Sequence, residues 1–408
     1  MHIDLNSCFA TIEQQANPFL RGKPVAVAAF TSPGGCILAA SVEAKRLGIK
    51  TGMRVREGRK IYSGLMVLPP DPWKYRGVHL KLRQIVSEYT VSFTPKSIDE
   101  FVLDMKDSPR LGVRSMEAVA EEIKDRIKRE VGDWLTVSVG IAPNRYLAKI
   151  AVGLHKPDGL SRIDKDNFLD IYSRLKLTDL TGIKERNAAR LSSVGIYTVL
   201  DFYSAALWRL KAAFHSINSL YWHARLRGFE VDDIGFGRRS YGNSVALGAN
   251  LRRTDELSPV LARLTEKMCG RLRRAKYKAS GIHLAIVYKD GTWWHRGRLL
   301  NRSLFDSRDI FRAAFRLLSA SPSGENKGKN VLNLAVSCFN LVNADTTQLE
   351  IFSDAEKKNR LVQAQDDINE KWGDFTVGFA RSFAGAPKVL DRIAFGGVKE
   401  LEEFTLKH

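Results

Sequence analysis

Ser97-Ile98-Asp99-Glu100-Phe101-Val102-Leu103-Asp104 sets two adjacent carboxylates, Asp99 and Glu100, just before an apolar run. Phe101-Val102-Leu103 reads as a buried strand, which puts the acidic pair at or beside a turn. Neighbouring side chains on a strand point to opposite faces, so a turn is needed for both acids to reach one site. Two acids beside a sheet core repel each other unless a cation lies between them. A hard divalent cation such as Mg²⁺ is the usual partner of carboxylate oxygens. Alone, an Asp-Glu pair reads more simply as a solvated turn, because charged side chains are mostly exposed.

The amino terminus changes that balance. Met1-His2-Ile3-Asp4-Leu5-Asn6-Ser7-Cys8-Phe9-Ala10 places a third acid, Asp4, after a short apolar start and before a helix-like segment. Asp4, Asp99 and Glu100 suffice to hold two Mg²⁺ ions shared with a phosphate substrate. Two further motifs follow: Gly140-Ile141-Ala142 with Asn144, Ala148, Lys149 and Ala151, then Lys156-Pro157-Asp158-Gly159. In this order and at this spacing, the four motifs resemble those of the Y-family (translesion) DNA polymerases of the bacterial UmuC/DinB type. The resemblance covers at least residues 1–345. Members usually carry a few more residues before the first acid, so the first strand is expected to be short.

The resemblance implies an α+β multidomain fold: a right-hand polymerase with an α/β palm, small fingers, a helical thumb and an α/β little-finger domain. The palm is expected over 1–10 and 74–160, the fingers over 11–73, and the thumb with a helix-hairpin-helix over 161–230. A linker at 231–240 leads to the little finger at 241–345 and a tail at 346–408.

Composition agrees with a soluble globular protein: of 408 residues, 44% are hydrophobic and 27% charged. That length suggests roughly two to four domains. No apolar run approaches a membrane span, and no signal peptide precedes Asp4. Cys8, Cys36, Cys269 and Cys338 are scattered, which argues for a reducing cytoplasm and against a zinc site or disulfide framework. The net charge of +19 points to a polyanionic partner. It is uneven: residues 241–330 hold 18 Lys/Arg against 7 Asp/Glu, whereas 353–408 hold 9 against 10. The basic segment reads as a phosphate-tracking surface.

Along the chain, Val25–Phe30 and Cys36–Ala40 read as strands and Ser41–Gly48 as a helix closed by glycine. His79–Tyr89 reads as an amphipathic helix, Val91–Phe93 as a strand, Met116–Val131 as a helix, Leu135–Ile141 as a strand and Asn144–Leu154 as a helix. Residues 161–230 read as all-helical. Within them Leu177–Lys184 and Ala188–Ile196 resemble a helix-hairpin-helix. Such a hairpin offers backbone N–H groups to a DNA phosphate, and Gly182 allows close approach. Lys184 stands where a second glycine is usual. Ser258–Arg274 reads as a helix carrying Arg263, Lys267, Arg271, Arg273 and Arg274. Ile282–Tyr288, Trp293–Leu300 and Val331–Phe339 read as strands, and Ile310–Ser319 as a helix. Trp293 and Trp294 fit base stacking, but a strand aromatic pair is more often core. Gln348-Leu349-Glu350-Ile351-Phe352 resembles the peptide by which bacterial polymerases bind the sliding clamp, with Leu349 and Phe352 as apolar anchors. The tail is expected to hold one helix, Ala355–Lys371, and then strand-like pieces.

The resemblance implies template-directed DNA synthesis across damaged template, using primer-template DNA and deoxynucleoside triphosphates. Asp4 and Asp99 would bridge two Mg²⁺ ions, or Mn²⁺ in their place. Glu100 would hold the attacking-side ion, and the Leu5 carbonyl would complete the shell. Lys45 and Lys156 would neutralise the triphosphate, and Phe9 would face the sugar and exclude a 2′-hydroxyl. Lys45 replaces a frequent Arg, and Val42 a frequent Tyr. Asn6 stands where other branches carry Asp. A monomer is expected. The alternatives are a catalytically inactive DNA-binding damage-response protein of the same fold and a palm-type nucleotidyl cyclase. Intact acids oppose the first. The second has no need of a helical hairpin or a basic carboxyl-terminal module.

Overall fold

His2-Ile3-Asp4-Leu5 forms the central strand of a five-stranded sheet in the computed structural model, which describes residues 1–234, 237–248, 250–323, 329–344 and 355–384. In chain order, the first unit, Met1–Ile234, begins with β1 (His2–Leu5) and α1 (Cys8–Ala16). A small excursion follows: β2 (Val25–Ala28), β3 (Ile37–Ala40), α2 (Val42–Arg46), α3 (Val55–Ile61) and β4 (Met66–Leu68). The chain then returns through α4 (Pro72–Ser87), β5 (Phe93–Pro95), β6 (Glu100–Leu103), α5 (Met116–Arg126), β7 (Val137–Ile141), α6 (Arg145–Leu154) and β8 (Leu160–Arg162). Five helices complete the unit: α7 (Phe168–Arg174), α8 (Glu185–Ser192), α9 (Val199–Ser204), α10 (Leu207–Phe214) and α11 (Asn218–Arg225).

The main sheet runs β5-β6-β1-β7-β8, and β1 lies antiparallel between β6 and β7. Neighbours pair both edges of β1, and Ile3 and Leu5 are buried in the core that the helices build on one face, although the strand has only four residues. Helices α1, α4 and α5 seal one core with Phe9, Tyr75, Tyr89, Phe101 and Ile123. The excursion has its own core around Ala26, Ile37, Ile49 and Val55. Its third strand, β4, pairs parallel to β2 and has no counterpart in the sequence reading, being three residues long. The helical segment packs Tyr172, Phe202, Phe214 and Trp222 together with α6.

Three expectations in this unit need correction. β8 extends the main sheet, parallel to β7, so residues 161–162 are not helical. The first helix of the 74–160 region starts at Pro72, because the Asp71 carboxylate caps the N–H groups of Trp73 and Lys74. Val91 is fully exposed, and the strand begins at Phe93.

The second unit, within Gly235–Leu390, contains β9 (Ser240–Ala246), α12 (Thr254–Arg274), β10 (Tyr277–Tyr288), β11 (Trp293–Leu304), α13 (Ser307–Ser319), β12 (Val331–Asn343) and α14 (Ala355–Trp372). Its sheet runs β11-β10-β12-β9, all antiparallel. Leu284, Ile286, Leu334 and Val336 form a core with Leu261, Leu264, Met268 and Leu318 of α12 and α13. The helices therefore cover one face of the sheet. Residues directly opposite on neighbouring strands share a face. Ala285, Ala335 and Ser244 stand in register on the other face, as do His283, Ser337 and Gly242. Trp293 is 67% exposed, so it is no core residue, whereas Trp294 packs against the helix-side core. No strand occurs among the described residues after α14: Ala380–Ser382 is a single 3₁₀ turn.

Candidate active site

Asp4 on β1 stands directly opposite Glu100 on β6. Cross-strand partners lie on one face of the sheet, so two carboxylates are forced together there. Asp99 sits in the bend just before β6, and its carbonyl accepts the Leu5 N–H at 2.8 Å. The bend breaks the strand alternation that would otherwise send Asp99 to the opposite face. The Ser97 hydroxyl donates to Asp99 Oδ1 at 2.5 Å and fixes that side chain.

Burial raises the Asp4 carboxyl to about 6, against the opposing pull of Lys156. Burial also raises Asp99, partly offset by the Ser97 hydroxyl. For Glu100, burial pushes upward, but the Lys149 ammonium prevails and holds it below the usual carboxylate range. Lys149 Nζ donates to both Glu100 oxygens, at 2.9 and 2.7 Å. Lys156 Nζ donates to Asp4 Oδ1 at 2.6 Å. Lys45 of α2 donates to the Ser7 hydroxyl at 2.9 Å, three residues beyond Asp4. Burial lowers its ammonium, as does the nearby charge of Lys156. Three acids and three lysines thus share one locus.

Sequence reasoning assigned no site role to three contributors here. Lys149 was visible only as part of a motif. His2, beside Glu100 at 3.8 Å, is buried with no hydrogen-bond partner on either ring nitrogen among the described residues. Burial drives its pKa to about 3, so it stays neutral. The Asn6 amide is the third. It donates to the Ser138 hydroxyl at 2.9 Å, and its oxygen accepts the Thr136 hydroxyl and the Asp158 N–H. An Asp at this place has no N–H to donate to Ser138. Asn6 therefore ties the loop of Lys156 to β7. The Asp158 carboxylate pairs with Lys124 and Lys128 from behind.

The site fits a divalent cation in its donor chemistry: buried, mutually repelling oxygen donors are what hard cations take. Among the described residues, no three His, Cys, Asp or Glu side chains converge as a finished cage. Lys156 and Lys149 each engage one of the acids instead.

Phe9, in the first turn of α1, is buried and stacks on Tyr75 with ring centroids 4.3 Å apart. Tyr75 is anchored in turn by its hydroxyl on Glu13. Gly182 has φ +93°, a backbone that favours glycine, and accepts the Asn187 amide at 3.0 Å. Exposed Lys184 precedes the first turn of α8. An apolar cleft of about 600 Å³ lies elsewhere, between Ile141, Leu147, Phe168 and Leu226, and none of the three acids lines it.

The basic residues expected on α12 need correction. Arg273 is forked onto Asp366 of α14. Arg263 donates to the Ser382 carbonyl at 2.7 Å and lies over the Phe375 ring. Lys267 reaches Asp374 at 3.9 Å. Arg271 donates to the Gly242 carbonyl, and only Arg274 among the five is exposed. Helix α14 and the turn after it cover this side of α12, so most of its charge is spent within the unit. Exposed Arg296, Arg298 and Arg302 lie on the edge strand β11, which sequence reasoning passed over because the helix held the denser run of cations. Gln348, Leu349 and Phe352 lie outside the described residues.

Acids paired across antiparallel strands, lysines around them and a separate basic α/β module are the arrangement of a nucleotidyl-transferring polymerase. Residues 3–153 match the impB/mucB/samB family and residues 238–351 its C-terminal domain. The chain is 32% identical over 397 residues to DNA polymerase IV of Pelotomaculum thermopropionicum, covering 95% of this chain and 96% of that one. It is 32% identical over 382 residues to DNA polymerase IV 1 of Bacillus subtilis, covering 91% and 90%. A Y-family DNA polymerase chimera of Dbh and Dpo4 shares the fold, with TM-score 0.73 and 23% identity over 84% of this chain and 98% of that one. The chain belongs to this family, the Y-family DNA polymerases of DinB type.

Proposed function

We propose that this chain is a template-directed DNA polymerase that extends a primer across damaged template. The observation that carries the reading is the register of Asp4 against Glu100, with Asp99 one residue away. Bound there, two divalent cations (Mg²⁺, or Mn²⁺ in its place) would lower the pKa of the primer 3′-hydroxyl and neutralise the leaving pyrophosphate. Asp4 and Asp99 would hold both ions, Glu100 the attacking-side ion, and the Leu5 carbonyl would complete the shell. Lys156 and Lys45 would turn to the triphosphate. Both are exposed and flexible enough to leave Asp4 and Ser7 for a more highly charged partner. Phe9, held flat by Tyr75, would be the wall against a 2′-hydroxyl.

In this reading the five-stranded sheet is the palm, the excursion the fingers and the helical segment the thumb. The second unit is the little finger. Gly182 and Lys184 would meet a phosphate at the thumb. The uncovered sheet face, which carries Trp293 and His295, would meet the duplex, since α14 occupies α12; Arg296 and Arg298, set opposite Leu284 and Ile282 on the helix side of the edge strand, would reach phosphates beyond that edge. A sliding clamp would dock on Leu349 and Phe352. No helix among the described residues is long and apolar enough to cross a membrane. A cytoplasmic place fits an enzyme whose template is DNA, and a monomer suffices because every residue of the candidate active site lies within Met1–Ile234 of one chain. Primer extension with Mg²⁺ on a damaged template tests the reading, and extension must fail without template.

A further inference from the structure

Lys149 spans both oxygens of Glu100, at 2.9 and 2.7 Å, from the middle of α6. Its backbone position is set twice over. The Asn144 side chain caps α6 at the Leu147 N–H, and its amide donates to the Arg225 and Phe229 carbonyls. Gly140 of β7 lets α6 lie against the sheet. A Cβ at residue 140 would come within 2.1 Å of the Ala148 carbonyl oxygen, one residue before Lys149. On the other flank, the buried His2 ring stands 3.8 Å from Glu100 and makes no hydrogen bond to it. Lys149 is thus the cation that sets the plane of this carboxylate. A carboxylate has about four lone-pair sites, so two remain for another partner.

We propose that Lys149 is the positioning residue of Glu100. It fixes the orientation in which Glu100 meets the attacking-side cation, and it permanently offsets part of the charge of the three acids. Lys156 differs: it bonds one oxygen of Asp4, from a loop, and is free to leave it. The inference rests on the two-cation reading of the site.

The consequences are measurable in the full chain. Lys149→Met lowers kcat by roughly 10- to 100-fold, the usual loss when a partner of a metal ligand is removed. It leaves KM for the nucleotide unchanged, because Lys149 does not touch the triphosphate. In EDTA the variant lacks the offsetting charge, so its thermal midpoint drops. Saturating Mg²⁺ or Mn²⁺ supplies charge to the same acids, so the stabilisation by metal is larger in Lys149→Met than in the unchanged protein. Lys149→Arg restores kcat and the normal metal response. In a Glu100→Gln background, Lys149→Met no longer enlarges that response. An unchanged kcat, a raised nucleotide KM with normal kcat, or an unchanged metal response overturns the inference. If the unchanged protein gains no stability from either metal and makes no DNA, the two-cation reading itself fails, whatever Lys149 does.

Discussion

Arg273 of α12 forks both carboxylate oxygens of Asp366 on α14, each at 2.6 Å. Its Nη1 donates to the Phe305 carbonyl and to the Ser307 hydroxyl, each at 3.0 Å. Around this pair, Phe379 packs on Phe311, Lys358 pairs with Asp309, and Arg381 donates to the Ser258 hydroxyl. The segment 355–384 is therefore a third layer of the second unit and not a loose tail. Asp366→Ala leaves a mostly buried guanidinium without its counter-charge, and the unit should lose about 2–3 kcal/mol, discounted because Asp366 is partly exposed. Thermal unfolding measures this. The salt dependence of DNA affinity should not move with Asp366, whereas Arg296→Ala with Arg298→Ala should lower its slope by roughly two. An unchanged melt for Asp366→Ala would remove the layer argument.

Glu266 adds a pH dependence to the same contact. Its carboxylate is buried on α12, accepts the Gln365 amide at 2.7 Å and leaves Oε2 without a hydrogen bond among the described residues. Burial raises it to about 7 from an ordinary 4.5. The folded form therefore holds a proton that the unfolded form has released. Its stabilisation is complete below about 4.5 and is lost as pH rises through about 7. The melting temperature of the second unit should fall between pH 5 and pH 8 by more than in Glu266→Gln. Equal slopes in the two proteins would show that Glu266 does not titrate in that window.

Phe9→Ala should raise ribonucleotide incorporation relative to deoxyribonucleotide while synthesis persists, because exclusion by bulk is a repulsive device. The Tyr75 stack makes this a strict test, since the ring is held and cannot swing aside. Single-nucleotide insertion with both sugars gives the ratio. A folded, active variant with unchanged discrimination would make Phe9 a packing residue only.

Leu349→Ala with Phe352→Ala should abolish stimulation by a bacterial sliding clamp and leave extension of a short primer untouched. Pull-down and extension assays with clamp measure both. Absence of clamp binding by the unchanged protein would refute the motif.

The site was legible where its chemistry is carried by residue type and order. Asp4, Asp99 and Glu100 stood out because they lie in motifs whose order and spacing resemble the family's; the acidic pair alone reads as a solvated turn. Strand and helix positions in the first unit largely followed from periodicity, but β4 and β8, where three residues show no period, and α3 were missed, and α4 was expected to start too late. What sequence could not give was partnership. The cations of α12 look alike in a string. Only the fold shows that Arg263, Lys267 and Arg273 turn to a segment about a hundred residues later. Asn6 and Lys149 were likewise visible as letters, but their roles depend on Ser138, Asp158 and Glu100, each far away in the chain.

The central claim is that the paired acids of β1 and β6 carry DNA synthesis. Glu100→Gln keeps the shape of the side chain and removes one charge from the site. Primer extension with Mg²⁺, run beside a DNA-binding measurement at moderate salt, tests it most directly. Synthesis should fall by orders of magnitude while DNA binding survives, because the second unit supplies that binding. Near-normal extension by Glu100→Gln would contradict the account.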